Sequence, residues 1–264
     1  MRNVEIRRFK KWFTDYVAGF YGSDRYVNAN IKLKELHSHR VCKEMEYLAE
    51  SLGLPSDKKR IAWTIALFHD IGRFEQFRQY RTYNDFESID HCGLGLKVLK
   101  NRKVLDCLDG REAVLVRAAI GYHGVKQLPQ GLSGDTMLFS RLIRDADKLD
   151  ILPYLIKRYK RYLRDPKSFP FEFGFPDKPV YTKAVVRDIL AGRRIEYRKL
   201  RTLNDMKLLV VGWVYDVNFT AALVRIKRRR SMDKIIDFLP QTAEIKEVRK
   251  KIRDYIDKKI VRNG

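Results

Sequence analysis

The sequence predicts an all-α protein, and three observations carry the prediction. Apolar residues recur at three- and four-residue steps over most of the 264 residues. Strict alternation of apolar and polar residues, the mark of a half-buried strand, is scarce throughout. The periodic stretches stop at helix-ending residues such as Gly53 and Pro55. With 45% hydrophobic residues, including 14 Phe, 14 Tyr and 3 Trp, the chain can bury a sizeable core.

The first helix is expected over residues 3–20, where Phe9, Phe13, Val17 and Phe20 share a stripe. It forms an N-terminal segment, residues 1–28, that packs on the body; a helix lying on a membrane surface is the other reading. A second helix covers 29–52. On it His37 shares a face with Val41, Met45 and Leu48 and points inward. His39 lies with Lys43, Glu46 and Glu50 and points to solvent. Ser56 or Asp57 caps a third helix, whose apolar end, Ile61 to Phe68, runs into His69 and Asp70. Gly72 breaks it, and a polar, aromatic-rich segment follows over 73–85.

A fourth helix begins near Ser88, with His91 on the face of Leu94, Gly95, Val98 and Leu99; Gly93 and Gly95 point to close approach of another backbone. A fifth, 111–123, sets His123 with Val116, Ala119 and Ile120. A sixth, 136–152, sets Asp147 with Phe139, Ile143 and Ile151, and Asp145 beside Arg141 and Lys148. These helices make a core over 29–160. A helical C-terminal extension, 161–264, opens on a long loop or flap at 164–182 that holds four of the eight prolines. It continues in helices at about 182–200, 204–228 and 242–262, the last striped with Ile245, Val248, Ile252, Ile256 and Ile260.

The net charge of +22 suits polyanionic partners: phosphorylated small molecules, nucleotides, nucleic acid or acidic membrane surfaces. The plainer reading is general surface charge, because the basic residues are spread widely. Lys227-Arg228-Arg229-Arg230 reads as the solvated end of a helix, with a nucleic-acid contact as the alternative. Cys42, Cys92 and Cys107 form no close pair, which argues against a disulfide framework and fits a reducing cytoplasm. No apolar run approaches the roughly 20 residues that span a bilayer. The N-terminus lacks the apolar stretch of a signal peptide. The C-terminal helices either roof a pocket or form a homodimer interface.

The functional signal centres on Phe68-His69-Asp70-Ile71-Gly72-Arg73, where an imidazole and a carboxylate meet at one point. All five histidines lie between residues 37 and 123, and four face inward by phase. With two aspartates they give six candidate metal ligands from five helices: His37, His69, Asp70, His91, His123 and Asp147. One inward histidine is ordinarily a satisfied core residue. Four, flanking a His-Asp pair and an apolar-facing Asp147 that is expensive to bury unless paired or metal-bound, point to a metal site. Mixed nitrogen and oxygen donors without cysteine disfavour structural zinc and favour Mn, Fe, Ni, Co or Mg.

In order and spacing, "LHSHRV" at His37, "FHDIGRF" at His69-Asp70 and "RDADKLD" at Asp147 resemble the HD-domain metal-dependent phosphohydrolase superfamily. "HDIGRFEQFRQYRTYNDFESIDH" resembles a bacterial subgroup of it, to which no substrate attaches. The resemblance covers about residues 30–155 and implies a helical bundle around one or two metal ions. It implies His37, His69, Asp70 and Asp147 as ligands of the first ion. "HCGLG" at His91 and "IGYHG" at His123 resemble the extra positions of six-ligand members, with Asp70 able to bridge. No Gly-Tyr-Pro signature accompanies the motif, and Arg73 stands where cyclic-dinucleotide hydrolases have Lys, which argues against that substrate. The Glu-Asp pair of alarmone hydrolases is missing, and the chain is short for a dNTP triphosphohydrolase.

The implied activity is hydrolysis of a phosphate ester, of a nucleotide or small phosphomonoester, by metal-activated water. Asp70, Arg73 and Lys148 are the catalytic candidates beyond ligation: Arg73 as a bidentate phosphate clamp and Lys148 as a point charge, with ordinary salt bridging as the competing role. The alternative function is a nucleotide or nucleic-acid sensor without turnover.

Overall fold

The computed structural model describes residues 1–132, 134–166 and 174–263. Every regular element among the described residues is helical, so the all-α expectation holds. The chain forms two compact units, Met1–Asp147 and Lys148–Gly264, a division earlier than the 160/161 boundary expected from the sequence.

The first unit opens with α1 (Asn3–Ala18) and α2 (Arg25–Ser51). α1 buries Phe9, Phe13 and Val17 and packs on α3 (Ser56–Phe68), with Phe9 and Phe68 rings edge-to-face at 5.4 Å and Phe13 edge-to-face with Phe74 at 5.9 Å. That covers the stripe a membrane-surface helix would need free. α2 starts four residues before the expected 29, because Asp24 caps it by accepting from Tyr26 N and Val27 N. Neither Ser56 nor Asp57 caps α3. Pro55, extended at φ −66°, ψ 160°, holds the cap position, and Asp57 sits in the first turn, where the helix dipole favours a carboxylate. α2 and α3 pack along one another, and Val41, Met45 and Leu48 of the one and Ile61, Ile65 and Phe68 of the other are buried.

Residues 73–85 are not merely a polar segment: α4 (Gly72–Tyr80) occupies most of it. Gly72 does not break a helix here; it permits a crossing. A Cβ on Gly72 would stand 2.2 Å from the carbonyl oxygen of His91, on α5 (His91–Asn101), and 2.5 Å from Gly95 N. Gly95 answers with 3.3 Å to Gly72 N. Gly93 instead makes room for its own cap, Asp90, whose Oδ2 a Cβ would meet at 2.7 Å. α6 (Gly110–Tyr122) is capped by Asp109.

α7 (Gly134–Arg164) carries the chain from the first unit into the second and runs through Pro153 rather than stopping at 152. An internal proline costs about 3 kcal/mol. Buried Leu149, Leu152, Leu155, Ile156 and Tyr159 on both sides of it outweigh that loss. Of the expected loop, residues 167–173 lie outside the described residues; 174–182 carry no helix.

The second unit continues with α8 (Lys183–Leu190), a 3-10 turn (Tyr197–Lys199), α9 (Leu203–Gly212), another 3-10 turn (Trp213–Asp216), α10 (Thr220–Arg228), α11 (Ser231–Ile236) and α12 (Ala243–Asn263). The expected helix at 182–200 thus ends early, at Gly192 with φ +66°, and the one at 204–228 is split. Asp205, fully buried, joins the starts of α8 and α9. Its carboxylate accepts from Thr182 N (2.7 Å), Thr182 Oγ1 (2.8 Å), Arg201 N (2.8 Å) and Thr202 N (3.1 Å). The α12 stripe is as expected, with Ile245, Val248, Ile252 and Ile256 buried.

Candidate metal centre

The first unit places four imidazoles and two carboxylates in one cage. His69 ends α3 and Asp70 follows on the tight turn into α4, closed by Arg73 N donating to Asp70 O at 2.9 Å. His37 lies mid-α2, His91 opens α5, His123 ends α6 and Asp147 lies on α7. His39 is exposed, as helical phase predicts.

The two oxygens of Asp70 face different partners. Oδ2 lies 3.4 Å from His37 Nε2 and 3.7 Å from His69 Nε2; these two nitrogens stand 3.2 Å apart. Asp147 Oδ1 joins this side, 3.2 Å from His37 Nε2 and 3.8 Å from His69 Nε2. Oδ1 of Asp70 lies 3.5 Å from His91 Nε2 and 3.6 Å from His123 Nε2, which are 3.0 Å apart. The structure therefore brings together all six ligands proposed from the sequence, in two halves that share Asp70.

Local backbone chemistry turns the histidines inward. His69 and His123 each occupy a helix C-cap with helical dihedrals, and each directs Nδ1 at its own i−3 carbonyl, Ala66 O at 2.8 Å and Ile120 O at 2.7 Å. A carbonyl only accepts, so Nδ1 carries the hydrogen, and in the neutral ring Nε2 presents a lone pair. The same contact satisfies an orphan carbonyl of the last helical turn. His91 reaches the same state through Asp85: Nδ1 donates to Oδ2 at 2.5 Å. Metal-binding histidines are oriented in this way, by a carbonyl or carboxylate on the far nitrogen.

Burial and neighbouring charges shift the titration of the cage residues in opposite directions. Burial pushes His69 down to about 4, so it is neutral at ordinary pH. Burial pushes Asp70 up, but the Lys34 ammonium, 2.7 Å from Oδ2, and the surrounding histidines more than offset it, holding the carboxyl well below its usual range. Asp147 is likewise held low: burial raises it and His37 more than offsets the rise. His123 is pushed down by burial and back up, to about 10, by Asp70 and Cys92. Asp147 Oδ1 is sealed from solvent and satisfied by no hydrogen bond, although the side chain as a whole is 23% exposed. A buried carboxylate oxygen without a donor, facing converging imidazole lone pairs, fits a divalent cation.

Several neighbours escaped the sequence reading. Cys92 Sγ lies 3.5 Å from His91 Nε2, so the cage is not free of sulfur as expected; His91, Cys92 and His123 form one group able to hold a metal, and His37, His69 and Asp70 another. Burial pushes the Cys92 thiol up, and hydrogen bonds with His123 and His91 more than offset this, to about 6. Lys34 lies one helical turn before His37, a spacing that marks a shared face, but its role needed the fold. Arg144 of the RDADKLD stretch donates to Val125 O at 2.6 Å and anchors the loop after His123.

Two expected roles look different in three dimensions. Arg73 Nη1 donates to Gln76 Oε1, Tyr83 O and Asp85 Oδ1, at 2.8, 2.6 and 2.6 Å, so the guanidinium organises the carboxylate behind His91. Lys148 pairs with Asp216 at 3.0 Å in the second unit. Asp145, expected beside Arg141 and Lys148 on the α7 surface, is fully buried. Residues 142–146 are all buried, and helical phase cannot separate faces in such a run.

Residues 36–152 match the family model of the HD domain. The chain carries an HD domain. The domain's match begins just before His37 and ends just after Asp147, so it spans all six cage residues. No curated protein and no solved structure matches the chain. The HD domain, with groups able to hold a metal, points to the metal-dependent phosphohydrolase family. Among the described residues no helix is long and apolar enough to cross a membrane.

Proposed function

We propose that this HD domain is a metal-dependent phosphohydrolase that cleaves a phosphate ester of a nucleotide or small phosphomonoester. The observation that carries the reading is the division of Asp70, one oxygen toward His37 and His69 and the other toward His91 and His123. His37, His69, Asp70 and Asp147, with His91 and His123, would hold one or two divalent ions of Mn, Fe, Ni, Co or Mg. Divalent metal bound there would lower the pKa of a coordinated water toward neutrality and polarise a phosphoryl oxygen.

The chain's own residues would do the rest. His69 and His123 hold their Nδ1 hydrogens on carbonyls and so keep Nε2 fixed as donors. Asp85 holds His91 in the same tautomer, and Arg73 and Gln76 hold Asp85. Lys34, 17% exposed at its side chain, places a positive charge beside the cage, where a substrate phosphate would approach. Arg73 then acts as a positioning residue rather than a clamp.

The test is phosphate release from a panel of nucleotides and phosphomonoesters with added Mn, Ni, Co or Mg, using Asp70→Asn as the blank. Release that requires metal and vanishes in the variant is expected. Equal release by wild type and variant would sink the proposal.

A second reading, a binding or sensor protein for nucleic acid, is favoured by one fact. The second unit carries 30 Lys and Arg against 14 Asp and Glu, +16 of the chain's +22. It predicts metal binding without turnover, and the same assay separates the two.

A further inference from the structure

We propose that Cys92 is a metal ligand: its thiolate, with His91 Nε2 and His123 Nε2, makes a sulfur-containing site on the Oδ1 side of Asp70. The inference rests on the reading of the cage as a metal centre and adds to it a donor that the histidines and aspartates do not supply.

Geometry is the first argument. Sγ lies 3.5 Å from His91 Nε2 and 4.0 Å from His123 Nε2, and the two nitrogens are 3.0 Å apart. Asp70 Oδ1 lies 3.5 and 3.6 Å from the same nitrogens. Around an ion with metal–nitrogen bonds of about 2.0–2.1 Å and a metal–sulfur bond of about 2.3 Å, tetrahedral donors stand about 3.3–3.6 Å apart. The five distances scatter about that range. Sγ is also 3.5 Å from His123 Nδ1, which is committed to Ile120 O, so the sulfur leans along the imidazole edge and has Nε2 as the open side to turn toward.

The surroundings are the second argument. Cys92 is 5% exposed, yet its sulfur meets two imidazoles, where an inert core cysteine would meet apolar side chains. Its backbone is pinned by Asp90, which accepts from Cys92 N at 3.0 Å. Gly124 leaves the space: a Cβ there would stand 2.8 Å from Sγ and 3.3 Å from His91 Cε1. Any side chain at 124 would push the sulfur off the histidines.

The consequence is a cage with two unlike halves. His37, His69, Asp147 and Asp70 Oδ2 offer nitrogen and oxygen, whereas His91, His123, Cys92 and Asp70 Oδ1 add a soft thiolate. Thiolate selects Zn, Fe or Co over Mg, so the His91 half takes a softer ion than the His37 half.

The experiment is a Co(II) titration of the full chain, following bound cobalt per chain by elemental analysis together with the absorption spectrum. A cobalt–thiolate bond gives an intense near-ultraviolet charge-transfer band that imidazole and carboxylate ligands do not. The band is expected in wild type, in Cys42→Ser and in Cys107→Ser. Cys92→Ser should lose it, still bind cobalt in the His37 half, and hold the other equivalent at least about tenfold more weakly. X-ray absorption on the wild-type protein should show a sulfur neighbour at about 2.3 Å. Cobalt bound with neither band nor sulfur neighbour, or a band that survives Cys92→Ser, overturns the assignment and leaves the metal-centre reading standing. A protein that binds no cobalt overturns both. The wild-type measurements decide the matter even if the variant fails to fold.

Discussion

Asp85 shows how one residue outside the cage governs what happens inside it. Its Oδ2 fixes the His91 tautomer at 2.5 Å, and its Oδ1 accepts from Arg73 at 2.6 Å and Gln76 at 2.8 Å. Gln76, itself fully buried, also donates to Ser88 Oγ and Ile89 O, so the carboxylate cannot drift. Burial raises the Asp85 carboxyl, and its bond to His91, with Arg73 nearby, more than offsets the rise and brings it to about 2. Asp85→Ala should therefore weaken metal in the His91 half by about 10–100-fold, the range for lost outer partners of metal-bound histidines. Isothermal titration with Mn or Co reads this directly; unchanged affinity would show that Asp85 does not orient the ligand. Arg73→Lys keeps the charge but replaces the Nη1 that donates to Asp85, Gln76 and Tyr83 with a shorter-reaching, flexibly held ammonium, and should shift affinity in the same direction by less. At this scale the six cage residues were legible because helical phase puts His37, His91, His123 and Asp147 on apolar faces and because His69 and Asp70 adjoin at the end of an apolar run. Asp85, Lys34 and Cys92 were not. The partners of the first two come from other helices, and a cysteine beside a histidine normally points elsewhere. At the α5 N-terminus Cys92 Sγ nonetheless lies 3.5 Å from His91 Nε2.

The crossing of α4 and α5 is the element on which the centre's geometry depends. His91 and Asp70 belong to opposite sides of it, and it closes at Gly72 and Gly95. With 2.2 Å from a Cβ on Gly72 to His91 O, both partners backbone, nothing flexible can give way. Gly72→Ala should destabilise the first unit by about 1–3 kcal/mol or more, as overpacking does. Urea denaturation followed by circular dichroism measures it, with Gly22→Ala, where a Cβ meets nothing within 4 Å, as the control near zero. A Gly72→Ala protein as stable as wild type would mean that the crossing can open to admit a methyl group. This is also where reading elements from sequence failed for a physical reason. Glycine signals a helix end when judged locally, and here its absent side chain serves a contact with a helix nearly twenty residues on. Pro153 misled in the same way: local propensity says stop, and buried apolar residues on both sides say continue.

At the scale of the whole molecule, charge and chemistry are divided between the units. The first unit holds the six cage residues and carries 25 Lys and Arg against 19 Asp and Glu; the second carries 30 against 14. From residue order the positive charge reads as widely spread, although across the expected 160/161 boundary residues 161–264 already carry 26 Lys and Arg against 13 Asp and Glu. Once the chain divides at Asp147, +16 falls on 117 residues. Some of it is paired internally: Arg249 and Arg253 with Asp233, and Arg193 and Lys199 with Asp188. Lys246, Lys250, Lys251 and Lys258 remain exposed along α12, off its buried isoleucine stripe. Such a helix should hold a phosphate backbone without reading its bases. Fluorescence anisotropy with a single-stranded oligonucleotide should show binding that weakens linearly in log K against log salt. Lys250→Glu with Lys258→Glu should flatten that slope by about 0.7 for each phosphate the variant no longer neutralises. Asp70→Asn should bind the oligonucleotide as wild type does, because its charge change lies in the other unit's cage. A slope untouched by the α12 variants would remove that helix as the docking site. Loss of binding in Asp70→Asn would tie nucleic acid to the metal centre and make the polyanion its substrate rather than a separate partner.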